Sequence, residues 1–460
     1  MSAQIKKLIK QGENEKVELR GARTHTKTLA RSICGMLNQQ GGLVVLGVDD
    51  DGDVVGVADP DHDVADLHSH LADHLSPLPL VSIVRYDIDG KTVVVIEVPE
   101  GADKPYSLGR EIFVRVGKQT MKASADQTSA IVQETVSQFD RWEYEALPGF
   151  DFADCDSDEI SDALHDISKS GRLGSRVPQN KTDFLRRLHL ARGGQFTNGC
   201  AVLFGEEPLN WSPNLAIRVV SFSGKKTGDI SNDTLIHGPA VQCLRKAVDT
   251  LQQRTGYSGR FTDSDIERAD VPAYPLFALR EGLVNAIVHR DYSILGGQIR
   301  VEIYQDRLTI QNPGRLPEGW KLDDLKKRHG SVPFNPDIAR VFYLRMLMEQ
   351  LGIGTQKVIE ECKKLKASPP KWDNDQNMVT LTLFPAPEPS LSFDLNSRQQ
   401  MLLKKYGPGK SFKTSDYAEL TGVVDRQARR ELNELIDYGL VERSGRGPAT
   451  IYIRTKRAAS

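Results

Sequence analysis

Arg280-Glu281-Gly282-Leu283-Val284-Asn285-Ala286-Ile287-Val288-His289-Arg290-Asp291-Tyr292 sets an acid, an amide and an imidazole at four-residue steps. On a helix, that spacing puts Glu281, Asn285 and His289 on one face. Leu283, Val284, Ile287 and Val288 take the other side and can anchor the helix in a core, which leaves the polar stripe to line something else. A nucleotide site calls for such a set. A carboxylate can polarise an attacking water, and an amide oxygen suits magnesium, a hard ion that prefers oxygen donors. An ordinary solvated helix face carries the same pattern, so the stripe does not decide the matter by itself.

Two glycine-bearing segments lie downstream. Asp306-Arg307-Leu308-Thr309-Ile310-Gln311-Asn312-Pro313-Gly314 predicts a strand running into a turn. Leu351-Gly352-Ile353-Gly354-Thr355-Gln356-Lys357 opens a helical run from Val358 to Leu365. Glycines at a helix start let exposed backbone N–H groups approach a phosphate, and the helix dipole favours the anion.

The acid and amide helix followed by two glycine turns resembles the Bergerat (GHKL) ATPases. Arg280 to Tyr292 with Asn312-Pro313-Gly314, Asn335-Pro336 and Gly352 to Gly354 is most similar to the divergent branch labelled as the C-terminal domain of RecG-like helicases. No Gly-x-x-x-x-Gly-Lys-[Ser/Thr] loop accompanies it, so the label does not imply a helicase. The resemblance implies ATP and Mg2+ as cofactors, with Glu281 as the ATPase base if the site is active and Asn285 as the magnesium ligand. It further assigns His289, Gln311, Asn312, Gly314, Gly352 and Gly354 to cofactor binding. Active relatives carry an acid in the first glycine motif to read the adenine amino group, whereas this chain has Gln311-Asn312-Pro313-Gly314 there. An amide accepts that hydrogen bond more weakly than a carboxylate does.

At the other end of the chain, Glu13-Asn14-Glu15-Lys16-Val17-Glu18-Leu19-Arg20 leads into a predicted helix ending near Asn38. Gln39-Gln40-Gly41-Gly42 then turns into the apolar strand Leu43-Val44-Val45-Leu46-Gly47-Val48, and Asp49-Asp50-Asp51-Gly52 predicts a hairpin turn. With Lys104-Pro105 and Val114-Arg115-Val116-Gly117, these elements resemble the Schlafen/AlbA-type domain over about residues 13–125. In nuclease members three carboxylates hold a divalent metal, and by position these fall on Glu13, Glu18 and Asp50, with Asp49 as an alternate. The metal would be Mg2+ or Mn2+, activating water and stabilising charge on the phosphate. Arg20, Arg115 and Lys118 are the candidate nucleic-acid contacts of this head.

Residues 396–460 carry 13 Lys and Arg against 7 Asp and Glu, an excess of six positive charges. Three predicted helices, Ser397 to Tyr406, Thr414 to Thr421 and Asp425 to Tyr438, precede a strand pair around Gly445-Arg446-Gly447-Pro448. That order resembles a winged helix, which implies Arg426, Gln427, Arg429 and Arg430 on the groove-reading helix and Arg443, Arg446 and Arg454 on the wing.

The chain has 460 residues, enough for about three domains. Its 60 Lys and Arg balance 62 Asp and Glu, which excludes a globally basic protein but permits local patches. Five scattered cysteines without Cys-x-x-Cys predict neither a zinc site nor a disulfide scaffold and suit a reducing cytoplasm. Neither a signal peptide nor a membrane span is visible. The acidic run Asp151 to Glu159 reads as the end of a linker, and the prolines of Phe384 to Leu391 cannot continue a sheet or helix. Residues 160–270 supply apolar runs such as Cys200 to Gly205 and Leu215 to Phe222, but no legible chemistry.

The expected architecture is multidomain α+β. It comprises a Schlafen/AlbA-like head at 1–130, a linker helix region at 131–160, a GHKL-like α/β sandwich at 161–385, a Pro-rich linker at 386–395 and a winged helix at 396–460. The expected function is a cytoplasmic, nucleotide-responsive nucleic-acid-binding regulator of transcription acting through DNA, with a homo-oligomeric state and no membrane. The alternative is a metal-dependent endonuclease on RNA, tRNA or DNA, used in phage defence. A signalling ATPase is a third reading. Motif spacing does not rank their catalytic competence.

Overall fold

The computed structural model describes residues 2–49, 51–101, 103–136, 141–174, 177–261, 268–317, 319–327, 333–348, 354–375, 377–387, 395–445 and 450–455. Asp50, Gly352 and Arg446 therefore lie outside the described residues. The chain divides into two compact units, one of residues 1–256 with 272–386, the other of 257–271 with 387–460. The expected head and sandwich thus fall in one unit, and a short segment from the middle of the chain joins the C-terminal unit. Secondary structure is mixed α+β, and no described helix is long and apolar enough to cross a membrane. All five cysteines are buried free thiols.

In the first 125 residues, strands Val17–Arg20, Gly42–Leu46, Lys91–Val98 and Ser82–Ile88 form a four-stranded sheet in that order. The first pair is parallel, with Val17 opposite Leu43, and the others are antiparallel. Alternation along the apolar strands feeds two cores at once. Val45, Val93 and Val95 pack with Ile5 and Ile9 of the helix Ser2–Gln11, while Val44, Val94 and Ile96 pack with helices Thr26–Leu37 and Pro60–His74. Both faces are covered, which is why Leu43 to Val48 reads as a continuous apolar run.

The larger part of this unit is built on a six-stranded sheet. Its order is Ile230–His237, Ala216–Phe222, Ile299–Ile303, Leu308–Pro313, Met378–Leu383 and Lys371–Asp375. Ile217, Val219, Ile299, Val301, Leu308, Ile310, Leu381 and Leu383 all join one buried core with residues of helices Ala240–Thr255, Leu276–Val288 and Gly354–Lys364. The intervening side chains, Glu302, Thr309 and Gln311 among them, belong to the opposite face.

The acidic run at 151–159 has a local explanation. The Asp151 side chain accepts from Ala153 N at the 3-10 turn Phe152–Asp154, and Asp156 accepts from Asp158 N and Glu159 N at the start of the helix Ser157–Ser170. These aspartates are helix caps, so the charge run that reads as a linker is a pair of helix starts.

A buried polar network ties the head to the sandwich. Arg340, on the helix Pro336–Leu344, pairs with Asp337 and reaches Asp103 of the head at 2.7 Å. The Tyr144 hydroxyl donates to the other oxygen of Asp103. Arg192 meets Asp337 at 2.9 Å. Fully buried Glu143 accepts from the backbone N of Asp337 and Ile338 at 3.0 and 3.1 Å, capping that helix where its N–H groups have no intrahelical partner.

The C-terminal unit contains helix Ser397–Lys405, strand Ser411–Phe412, helices Thr414–Thr421 and Asp425–Asp437, and the strands Val441–Ser444 and Ile451–Arg454. The three strands form one sheet with Ile451–Arg454 in the centre. Leu402, Tyr417, Ala428, Leu432, Leu435, Leu440 and Tyr452 build its core.

Candidate functional site

The helix Leu276–Val288 leans on the sheet through Gly282, where a Cβ would fall 2.7 Å from Ile310 Cδ1 and 2.9 Å from Leu381 Cδ2. A side chain there would have to displace the Ile310 and Leu381 methyl groups. Past its end, Asn335 Nδ2 donates to Val288 O and Arg290 O at 2.9 and 2.7 Å, satisfying carbonyls the helix leaves open. Buried Arg290 donates to Gly297 O and stacks over Tyr292, which itself lies against Trp142. Arg290, Tyr292 and Asn335 thus hold the helix end in place.

Glu281, Asn285 and His289 line one cavity, His289 as the residue that ends the helix. Asn285 Nδ2 donates to Glu281 Oε1 at 3.2 Å, so its carbonyl oxygen is the atom left to meet a cation. Gly354, the first residue of the helix Gly354–Lys364, closes on the same carboxylate. A Cβ at 354 would fall inside the Glu281 carboxyl group. The floor is Ile310, Val379 and Leu381, and Trp320 and Trp372 add aromatic surface. The cavity opens to solvent, and with that open mouth the space measures about 1070 Å³.

The strand Leu308–Pro313 separates the two candidate amides. Asn312 lies on the same side as Ile310 and lines the cavity, 6% exposed. Its Oδ1 is buried without a hydrogen-bond partner. Gln311 corrects the sequence expectation: its Nε2 donates to Glu302 Oε2 at 3.0 Å on the opposite face, away from the cavity. Strand alternation forbids adjacent residues from sharing a site face, a signal present in the sequence. Gly314 does not line the cavity either; a Cβ there would meet His289 O at 2.8 Å, so it serves close backbone approach. Arg315 and Thr355 also line the cavity; Thr355 directly follows Gly354 in the second glycine segment, whereas no motif in the sequence marks Arg315.

The residues present fit a nucleotide by their chemistry. An orphaned buried acceptor sits on an apolar floor, and an acid and amide pair stands next to a helix N-terminus. Gly354 is the described part of the second glycine turn.

In the head, two of the three candidate metal carboxylates, Glu13 and Glu18, are described, and both have partners within the protein. Glu18 is buried, accepts from Ser32 Oγ at 2.7 Å, and is ion-paired with both Arg20 and Arg115. Glu13 Oε1 accepts from Leu19 N and lies 3.5 Å from Arg20. A carboxylate whose oxygens already meet guanidinium donors is not disposed to hold a divalent ion. Among the described residues, no group of three His, Cys, Asp or Glu side chains is placed to hold a metal. Asp49 accepts from Asp51 N and Asp53 N, building the turn. Arg115 also donates to Asn14 O and Val17 O, so it braces the sheet entry from within, while Lys118 stands exposed in the turn before Gln119–Lys122.

In the C-terminal unit, Arg426, Arg429 and Arg430 are exposed on the helix whose other face buries Ala428, Leu432 and Leu435. Arg443 is exposed on its strand. Gln427 Nε2 donates to Glu431 at 3.1 Å, and Arg454 donates to the carbonyls of Leu403 and Tyr406, so these two serve the fold.

Glu431 is buried between Arg398 and the Tyr417 hydroxyl, and Arg398 holds its carboxyl down to about 2 from an ordinary 4.5. The pairing should stabilise this unit fully above about pH 4.5 and fade as pH falls through 2. Glu431→Gln is expected to lower stability by about 2 kcal/mol at neutral pH. The gap between the parent and variant melting curves should narrow steadily in acid.

Residues 13–124 match the family model "Schlafen, AlbA_2", and residues 296–383 match the model "Putative ATP-dependent DNA helicase recG C-terminal". The chain is similar to the DIP2311 protein from Corynebacterium diphtheriae, at 17% identity over 99% of this chain and 96% of that one, with a TM-score of 0.49. It is also similar to the N-terminal domain of a RecG-related protein from Nitrosomonas europaea, at 25% identity over 27% of this chain and 93% of that one, with a TM-score of 0.22. No curated protein matches the chain.

Proposed function

We propose that the protein is a nucleotide-responsive regulator that binds nucleic acid, and that it acts on transcription by contacting DNA through its C-terminal unit. The observation that carries the nucleotide half is the cavity holding Glu281, Asn285, Gly354 and the orphaned Asn312 acceptor. A buried acceptor without a donor is costly, and a base amino group would satisfy it once the amide turned its oxygen toward the cavity. Glu281 and Asn285 would face the phosphates and their magnesium, and Gly354 would bring backbone N–H groups close. Bound Mg-ATP would supply charge and a hydrolysable bond. The chain's own part is to hold the base on the apolar floor and to orient a water at Glu281.

The nucleic-acid half is supported by the matched Schlafen, AlbA_2 region and by the C-terminal order of helix, strand, two helices and hairpin, which resembles a winged helix. Exposed Arg426, Arg429, Arg430 and Arg443 are its candidate contacts. The endonuclease alternative draws on the same matched region, but Glu18 is taken up by two arginines, which favours the binding reading.

Thermal denaturation of the full chain with Mg-ATP tests the nucleotide half. A ligand that prefers the folded state raises the melting point, by roughly 2.7 kcal/mol of stabilisation at a hundredfold excess over Kd. An unchanged melting curve at millimolar Mg-ATP would remove this reading.

A further inference from the structure

We propose, resting on the nucleotide reading above, that Asn312 makes the cavity accept 6-oxo purine nucleotides as readily as 6-amino ones, so that its ligand class is purine nucleoside triphosphates rather than ATP alone. A carboxylate at this position would be acceptor-only. It would take a hydrogen from a 6-amino group and repel a 6-carbonyl oxygen, which selects adenine. An amide carries an acceptor at one end and two donors at the other, and a half-turn about its Cβ–Cγ bond exchanges them. Oδ1 can face the 6-amino group of adenine, or Nδ2 can donate to the 6-oxygen of hypoxanthine.

What fixes a buried amide in one of its two orientations is a hydrogen bond to one of its ends. None does so here. Oδ1 is buried without a partner, and among the described residues Nδ2 has none either. The neighbouring Gly314 leaves that side open: even a Cβ there would sit 3.6 Å from Nδ2, at ordinary contact distance. The adjacent floor, Ile310, Val379 and Leu381, presents no polar side-chain atom that would favour one base edge over the other. Selection at the 6-position therefore falls to a side chain that can turn to suit either base.

The clean probe is ITP, which has the shape of ATP and differs in its 6-oxygen and N1 proton. Binding of Mg-ATP and Mg-ITP to the full chain would be measured by calorimetry. The parent is expected to bind the two within about threefold of each other, because it can offer either polarity. Asn312→Asp should keep ATP and weaken ITP at least about tenfold. Asn312→Ala, the fallback should the aspartate variant not fold, should weaken both by the same factor. Parent protein that binds ATP but takes ITP about tenfold more weakly would overturn the proposal while leaving the nucleotide reading intact. So would an aspartate variant indifferent to the base, or an alanine variant that loses one ligand more than the other. Binding of neither nucleotide would remove the nucleotide reading and this proposal together.

Discussion

Replacing Arg340 by alanine is expected to cost about 3–5 kcal/mol of stability, the typical range for breaking a buried ion pair from one side. The arginine is 1% exposed and is the only described cation paired with Asp103; it shares Asp337 with Arg192. Burial would draw its pKa down, but Asp337 and Asp103 hold it above the ordinary value. Burial pushes Glu143 well up, and Asp337 adds to that. Asp337 is itself raised by burial despite the neighbouring guanidiniums. Without Arg340, three carboxyls would share the interior with the partly exposed guanidiniums of Arg192 and Arg141. Glu143 and Asp337 should rise further above their unfolded values, and Asp103, which burial raises but Arg340 holds below its ordinary value, should rise with them, so the variant should lose stability as pH rises and recover part of it in mild acid. Urea melts at pH 5 and pH 8 would show this as a larger deficit at pH 8. Equal deficits at both would mean that Arg340 acts through packing alone.

The same network gives the cavity lined by Glu281 and Asn285 a contiguous physical route to the head. Asn335 caps the end of the helix that carries Glu281 and Asn285, and it immediately precedes the helix from which Arg340 reaches Asp103. A ligand that preferred one setting of the site helix would bias that joint by its difference in affinity for the two settings and no more. Helix Pro336–Leu344 is buried along its whole length, so it can move only with its neighbours.

Local pattern makes the cavity legible and leaves most of the polar pairing hidden. The four-residue stripe of Glu281, Asn285 and His289 is a local signal, and it does line one cavity. Strand alternation also separates Asn312 from Gln311, since the apolar residues at 308 and 310 already define the inward parity. Nothing local says that Glu18 meets Arg115 97 residues later, or that Arg340 meets Asp103 237 residues earlier. Carboxylates on a charged N-terminal segment look alike whether they hold a metal or an arginine. The partner decides, and the partner is set by the tertiary fold. The aspartates at 151 and 156 mislead for a related reason: capping and solvated linkers use the same residue types.

On the DNA side, the double variant Arg429→Ala, Arg430→Ala is expected to weaken duplex binding by roughly 30- to 100-fold at low salt. Both side chains are exposed on the helix Asp425–Asp437, opposite the buried Ala428, Leu432 and Leu435. Only Arg430 has a described acidic neighbour, Glu434 at 3.8 Å with its guanidinium 73% exposed, so the core should not notice the change. Every DNA phosphate that an arginine no longer neutralises keeps about one condensed counterion, which should make the slope of log K against log salt shallower by about 1.8 for two such phosphates. Arg454, which donates to two backbone carbonyls, provides the contrasting substitution: its removal should lower the melting point of the unit before it changes the salt slope. Should removal of both Arg429 and Arg430 change neither affinity nor slope, the groove-facing assignment of this helix fails. The basic excess of the C-terminal segment would then have to serve some other acidic partner.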